Sequence, residues 1–195
     1  MTNMNLTQDF FKSLKLVLAL WILTAIVYPV IILVIGQVAF PYQANGSLLS
    51  NSAGKTVGSA LIGQPFKSDR YFLSRPSSID YATQPAVATT GASGGSNLAP
   101  SNPALLGRIN PEAQRLQQAQ IKPTADLLYT SGSGLDPHIT LEAAQAQVQR
   151  VAQARKLTED QVQKLLAQAI DGRAIGIFGE PGVNVLKLNL SLDKG

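Results

Sequence analysis

The sequence predicts an α+β protein: a single N-terminal transmembrane helix followed by one mixed α+β soluble domain. Three observations predict it. Residues 16–40 form a charge-free apolar run. Helical periodicity with capping residues occupies 140–170. The segment 186–192 alternates apolar and polar residues, the period of a half-buried strand. Helical and strand patterns do not alternate regularly along the chain, which argues against a doubly wound parallel sheet. The expected order is a short cytoplasmic N-terminus (1–15), the membrane helix (16–40), a linker (41–56) and the soluble domain (57–195).

The membrane helix comes first. After Lys15 the next charged residue is Lys55. A bilayer core needs about 20 apolar residues in helical form, and this run exceeds that. Pro29 is tolerable because neighbouring groups satisfy the carbonyl it frees, and a kink is expected near Tyr28–Pro29. Phe40 and Tyr42 sit where an interfacial aromatic belt belongs. A cleaved signal peptide has an apolar core of about 7–15 residues and a small-x-small cleavage site. This run is longer and no Ala-x-Ala follows it, so the helix is expected to be retained. Lys12 and Lys15 precede it directly. The positive-inside rule then places the N-terminus in the cytoplasm and the soluble domain outside it.

Beyond the membrane, residues 57–62 read as a short strand and 69–73 as a second apolar piece stopped by Arg75-Pro76. Residues 74–111 are rich in loops and prolines. Asn110 with Pro111 is a cap followed by a first-turn proline, which predicts a helix to about Gln120. Thr140 caps a second helix, to about Lys156, with Leu141, Ala144, Val148, Val151 and Ala152 on one face. Thr158 and Gln161 form a capping box for a third, with Val162, Leu165, Leu166, Ala169 and Ile170 as its apolar stripe and Gly172 as its C-cap.

Composition narrows the chemistry. The chain has no cysteine, which removes disulfides, thiolate catalysis and Cys-ligated zinc. Its net charge of +4 is scattered, without a run to track nucleic acid. The AGKT stretch at 53–56 lacks the earlier glycine of a phosphate-binding loop, since Leu49 stands there. The TVG at 56–58 has none of the pore helices a potassium filter needs, and DKG at 193–195 lacks the threonine of the DKTG phosphorylation motif. His138, the sole histidine, has no second ligand nearby and reads as a turn residue at a helix start, where Asp136 could also cap. No G-x-S-x-G elbow and no catalytic carboxylate pair occurs. Neither catalytic nor metal-binding residues are expected. Asp69, Asp80, Asp126 and Asp136 read as solvated surface. In the SGGSN run, Ser93, Gly94, Gly95, Ser96 and Asn97 could form an anion nest, or a rigid turn-rich loop.

GSALIGQPF (58–66), YFLSRPS (71–77), SGGSNLAPSNPALLGRI (93–109), SGSGLDPHIT (131–140) and GEPGVNVLKLNLSLD (179–193) follow one another behind a single membrane helix. In this the chain resembles the KdpC family, the C subunits of bacterial Kdp potassium-transporting P-type ATPases, over nearly its whole length. Tyr81-Ala82 stands where the family often has Tyr-Asn. The resemblance implies an accessory, non-catalytic subunit in the bacterial plasma membrane, needed for assembly and stability. The partners it implies are a channel-like potassium-binding subunit, a P-type catalytic subunit and a small stabilising subunit. It implies no intrinsic cofactor: K+ is carried by the partners, and ATP is shared with the catalytic subunit if the C subunit raises ATP affinity as a catalytic chaperone. In that reading residues 93–97 are the nucleotide candidates, and Arg75, Pro76, Ser77, Asp136, Pro137 and His138 are motif or docking residues. A soluble domain outside the cytoplasm does not meet cytoplasmic ATP. The alternative is therefore a membrane-anchored extracytoplasmic module that caps the ion entrance without touching nucleotide.

Overall fold

The computed structural model describes residues 6–88 and 91–194. The start of the expected N-terminal segment, part of the loop at 84–92 and the last residue of the DKG stretch lie outside the described residues. The chain forms two compact units, Met1–Ser47 and Leu48–Gly195.

The first unit is built on α1, Leu6–Ala39, a helix of 34 residues. It starts earlier than the apolar run, because residues 6–15 contain no helix breaker and Lys12 ion-pairs with Asp9 one turn away at 3.3 Å. Its side chains are exposed within the chain, as suits an element whose solvent is lipid or another protein. The irregularity expected at Tyr28–Pro29 lies one turn earlier. Residues Leu23–Val27 form a π-helical turn, with Pro29 in the first turn of the α-helix that follows. A proline ring lacks the N–H and collides with the carbonyl four residues back, so widening the preceding turn accommodates it. The Thr24 hydroxyl donates to the Leu20 carbonyl there at 2.8 Å. A helical turn, Pro41–Ala44, ends the unit, so the region expected as a linker begins with helix.

The second unit opens with the antiparallel hairpin of β1, Leu48–Ser50, and β2, Thr56–Ser59. The AGKT stretch is its turn: the Asn51 side chain accepts from Ala53 N and Lys55 N, and Gly54 takes a positive φ of 76°. Residues 69–73, whose apolar part is Tyr71–Leu73, form no strand.

Helix α2, Pro103–Gln118, starts earlier than Asn110-Pro111 predicted. The sequence offers the Asn-Pro start twice, and the first is used: Asn102 accepts from Ala104 N, with Pro103 in the first turn. Pro111 is left inside the helix. An interior proline costs about 3 kcal/mol. Burial of Leu105, Ile109 and Leu116 on one stripe offsets it, at about 1.5–3 kcal/mol per large apolar side chain.

The expected second helix is divided into α3, Leu141–Gln145, and α4, Val148–Arg155. Its Thr140 cap forms, accepting from Ala143 N, but Leu141 is exposed and Ala143 takes its place on the buried face. Lys156 closes α4 in the left-handed conformation. Helix α5, Glu159–Gln168, has the capping box in full, and its C-cap is Ala169 rather than Gly172. A three-stranded antiparallel sheet of β3 (His138–Ile139), β4 (Ile170–Asp171) and β5 (Gly182–Asn184) has β5 at its centre.

The expected terminal strand at 186–192 is a helix, α6, Val185–Leu192. Asn184 makes the switch: its side-chain Oδ1 accepts from Lys187 N, capping the helix, and its Nδ2 donates to the Ala60 carbonyl at 2.8 Å. Val185, Leu188 and Leu192 then fall on one helical stripe facing the core, a burial that strand alternation would divide between two faces. That core joins Phe72, Leu116, Ile121, Leu127, Ile139, Val148, Val151, Val162, Leu166 and Val183 to α6.

Candidate functional site

The sheet and the loops before it bring the sequence motifs together. His138, on β3, is neither a helix-start turn residue nor solitary. Its Nε2 lies 2.9 Å from Asp171 Oδ2 on β4, and its Nδ1 lies 3.7 Å from Asp136 Oδ1. Lys187, in the first turn of α6, donates to both Asp171 oxygens at 2.8 and 3.0 Å. On the other side Asp136 pairs with Arg75 Nη1 at 3.1 Å, and the same nitrogen lies 3.6 Å from Asp126 Oδ1. Asp126 in turn accepts from Thr140 N, the cap residue of α3, at 2.6 Å. The result is an alternating chain of charges, Lys187–Asp171–His138–Asp136–Arg75–Asp126, that ties the two edge strands β3 and β4, two helix starts and the SRPS loop. Asp136 does not cap the following helix, and Asp126 and Asp136 are ion-paired rather than merely solvated.

The ionisation of this chain follows from its alternation. Asp136, chiefly, and Asp171 hold the His138 imidazolium, raising its pKa above the ordinary 6.5 despite partial burial. Burial pushes the Asp136 carboxyl upward, but hydrogen bonds from His138 and the Arg75 charge outweigh it, leaving it below its ordinary value. Asp171 is likewise lowered, where Lys187 and His138 overcome the effect of burial. Beside Arg75, the Tyr81 hydroxyl donates to the Arg75 carbonyl, and burial pushes its pKa up to about 12.

Tyr81 occupies a strained turn. Asp80, Tyr81 and Ala82 take successive φ values of 47°, 56° and 52°, a left-handed run that costs about 1–2 kcal/mol per residue for ordinary side chains. Alanine, unlike asparagine, has no short polar side chain to ease that region, so Ala82 adds to the strain of the turn. The turn is held by Ser77, whose hydroxyl donates to the Gly134 carbonyl and accepts from Ile79 N and Tyr81 N.

The SGGSN run is fastened to the SGSG run. Gly94 N and Ser93 Oγ both donate to the Ser133 carbonyl, at 2.8 and 2.9 Å. Ser78 donates to the Gly94 carbonyl at 2.7 Å, and Thr130 donates to Ser96 Oγ at 3.4 Å. Gly134 has φ +69°, and a Cβ there would stand 2.6 Å from the Gly94 carbonyl oxygen. Asn97 is left-handed, with φ 51°. These glycines and serines form an internal backbone seam.

Three members of the polar chain are not singled out as site residues by the sequence: Asp126 reads as a solvated acid, Asp171 lies outside the motif runs, and Lys187 sits unremarked within the 179–193 run. Also unforeseen is the hairpin joining β4 to β5. Ala174 N donates to the Phe178 carbonyl at 2.8 Å and Phe178 N to the Ala174 carbonyl at 3.0 Å, closing a turn with positive φ at Ile175 and Gly176. Its tip presents Ile175, Ile177 and Phe178 at 88%, 70% and 65% exposure. Three apolar residues set among glycines at 172–179 were the available signal. A cleft of about 520 Å³ lies between the Arg75–Tyr81 segment and α2, lined by Arg75, Ser77, Tyr81, Glu112 and Arg115 among others. Among the described residues no group of three or more His, Cys, Asp or Glu is placed to hold a metal ion.

Comparison with known proteins matches residues 10–194 to the family described as KdpC, the c chain of K+-transporting ATPases. A potassium-transporting ATPase KdpC subunit from Synechocystis sp. is 60% identical over 186 residues, spanning 95% of this chain and 98% of its own. One from Anabaena sp. is 53% identical, spanning 97% and 95%. One from Methylococcus capsulatus is 50% identical, spanning 95% and 97%.

Proposed function

The chain belongs to the KdpC family of potassium-transporting ATPase subunits, and from that premise we propose that it is a non-catalytic assembly subunit whose soluble unit docks on its partners. The partners are a channel-like potassium-binding subunit, a P-type catalytic subunit and a small stabilising subunit. The observation that carries this reading is the apolar hairpin tip. Three large hydrophobic side chains on an ordered turn are a surface that a partner covers, because soluble surfaces rarely gather such patches without a use. The polar motif residues Arg75, Ser77, Asp136 and His138 serve this role by fixing the sheet that carries the hairpin.

Lys12 and Lys15 support a cytoplasmic N-terminus and an extracytoplasmic soluble unit capping the ion entrance. The catalytic-chaperone role, with Ser93 to Asn97 near ATP, meets two obstacles. The orientation puts these residues across the membrane from cytoplasmic nucleotide, and the Gly94 N–H that a phosphate would need already donates to Ser133. Exposed Ser93, in a cysteine-free chain, gives a clean test as Ser93→Cys. Labelling of intact cells by an impermeant thiol reagent supports the capping reading. Labelling only in inverted vesicles overturns it and restores the nucleotide role.

A further inference from the structure

Helix α2 carries Arg108, Pro111, Glu112 and Arg115 at i, i+3, i+4 and i+7, one face of the helix. That face lines a cleft of about 330 Å³, whose other walls are Pro76, Ser77 and Leu128. Glu112 is fully engaged by Arg115, with Nε to Oε2 at 2.9 Å and Nη2 to Oε1 at 2.6 Å. Arg108 is different. Its Nε and Nη1 are buried and have no hydrogen-bond partner. Arg75 and Arg150 also leave Nε unpaired, but each anchors its other guanidinium nitrogens, on Asp136 and on the Asp69 and Tyr71 carbonyls respectively.

Two guanidinium N–H groups withdrawn from water without an acceptor each carry the cost of an unsatisfied buried donor. Native structures keep few such groups, and one beside an open cleft calls for a ligand that satisfies it. The acidic residue within reach along the helix, Glu112, is claimed by Arg115. Two guanidiniums against one carboxylate leave the cleft with an excess of positive charge. A planar, permanently charged donor set matches the oxygens of carboxylate and phosphate.

We propose that Arg108 is an oxyanion-binding residue, and that the cleft between α2 and the Pro76–Ser77 segment takes a carboxylate or phosphate group on it. The guanidinium turns into the cleft to meet the oxyanion, while Arg115, held by Glu112, supplies the second positive charge. The group comes either from a soluble anion or from an acidic side chain of another subunit. The inference does not depend on the assembly role, because the first source needs no partner.

The test uses the full chain in detergent with 15N-labelled arginine, titrated with inorganic phosphate, and the same chain assembled with its subunits. Saturable movement of the Arg108 Nε–H resonance at millimolar phosphate, weakened at least tenfold in Arg108→Gln, assigns a soluble anion. No movement with phosphate, but retention of Arg108→Gln in the assembled complex reduced at least fivefold at moderate salt, with Arg108→Lys partly restoring it, assigns a partner carboxylate. Neither effect overturns the proposal. Arg108→Met separates binding from folding: it removes no internal hydrogen bond, so the isolated variant melts at or above the parent temperature. A lower melting temperature, with binding lost only in proportion, would make Arg108 a structural residue and also overturn it.

Discussion

The side-chain amide of Asn189 makes both hydrogen bonds to the backbone of Phe72: Phe72 N donates to Oδ1 at 2.8 Å, and Nδ2 donates to the Phe72 carbonyl at 3.0 Å. Buried Gln147 does the same for Leu73, accepting at 2.7 Å and donating at 3.4 Å. Two amides, one from α6 and one from the break between α3 and α4, thus replace the neighbouring strand that an extended apolar segment would otherwise need.

Asn189→Ala leaves a buried N–H and a buried carbonyl without partners, which costs about 2–4 kcal/mol in total. Urea unfolding of the full chain in detergent, followed by tyrosine fluorescence, measures it. A loss below about 1 kcal/mol would mean that water replaces the clamp.

The pH dependence follows from His138 and its neighbours Asp136, Asp171, Lys187 and Arg75. Its folded pKa is raised, so its contribution is fully present below the unfolded value of about 6.5 and disappears as pH rises through the folded value. Asp136 and Asp171 are lowered, so theirs is present above about 3.8 and is lost as pH falls through their folded values. Stability is expected to peak between these limits. His138→Gln should flatten the decline on the alkaline side, and an unchanged slope in that variant would exclude His138 as its source.

Gly134→Ala forces a Cβ against the Gly94 carbonyl oxygen at a left-handed φ, with an expected loss of about 2–4 kcal/mol. Gly107→Ala, in α2 with open space around it, should instead gain about 0.5–1 kcal/mol. Thermal melts of the two variants carry opposite signs if the seam is as tight as its distances indicate.

Replacing Ile175 and Phe178 together by serine leaves folding intact, since both are exposed. Co-purification with the partner subunits should fall about tenfold or more, the loss expected when a central aromatic anchor is removed. Full retention of the complex would show that the hairpin is not an interface.

Pro111→Ala restores an N–H inside α2 and relieves the ring's clash with the Gly107 carbonyl. A gain of about 1–3 kcal/mol is expected, less than the interior-proline cost because the helix has already adjusted around it. Hydrogen exchange of the α2 amides reports it locally.

The sequence by itself determined whatever local chemistry decides. A charge-free run of this length has one good solvent, and the long helix through 16–39 follows. Thr140 and Thr158 cap where they stand because their hydroxyls reach the N–H groups three residues on. Tertiary structure decided the choices that local pattern leaves equal. Leu186 to Leu192 suits a strand by alternation and a helix by its 185–188–192 stripe, and only the core beside α5, with Asn184 capped onto Lys187, selects the helix. Two Asn-Pro pairs offer equivalent starts for α2, and the burial of Leu105 and Ile109 selects the first. The motif residues were visible as a set, and their pairing was not. Asp126, Asp171 and Lys187 are distant along the chain and unremarkable in composition. They become one line of alternating charge only when the strands set their side chains within about 3–4 Å of His138, Asp136 and Arg75, because electrostatic partnership depends on distance in space rather than along the sequence.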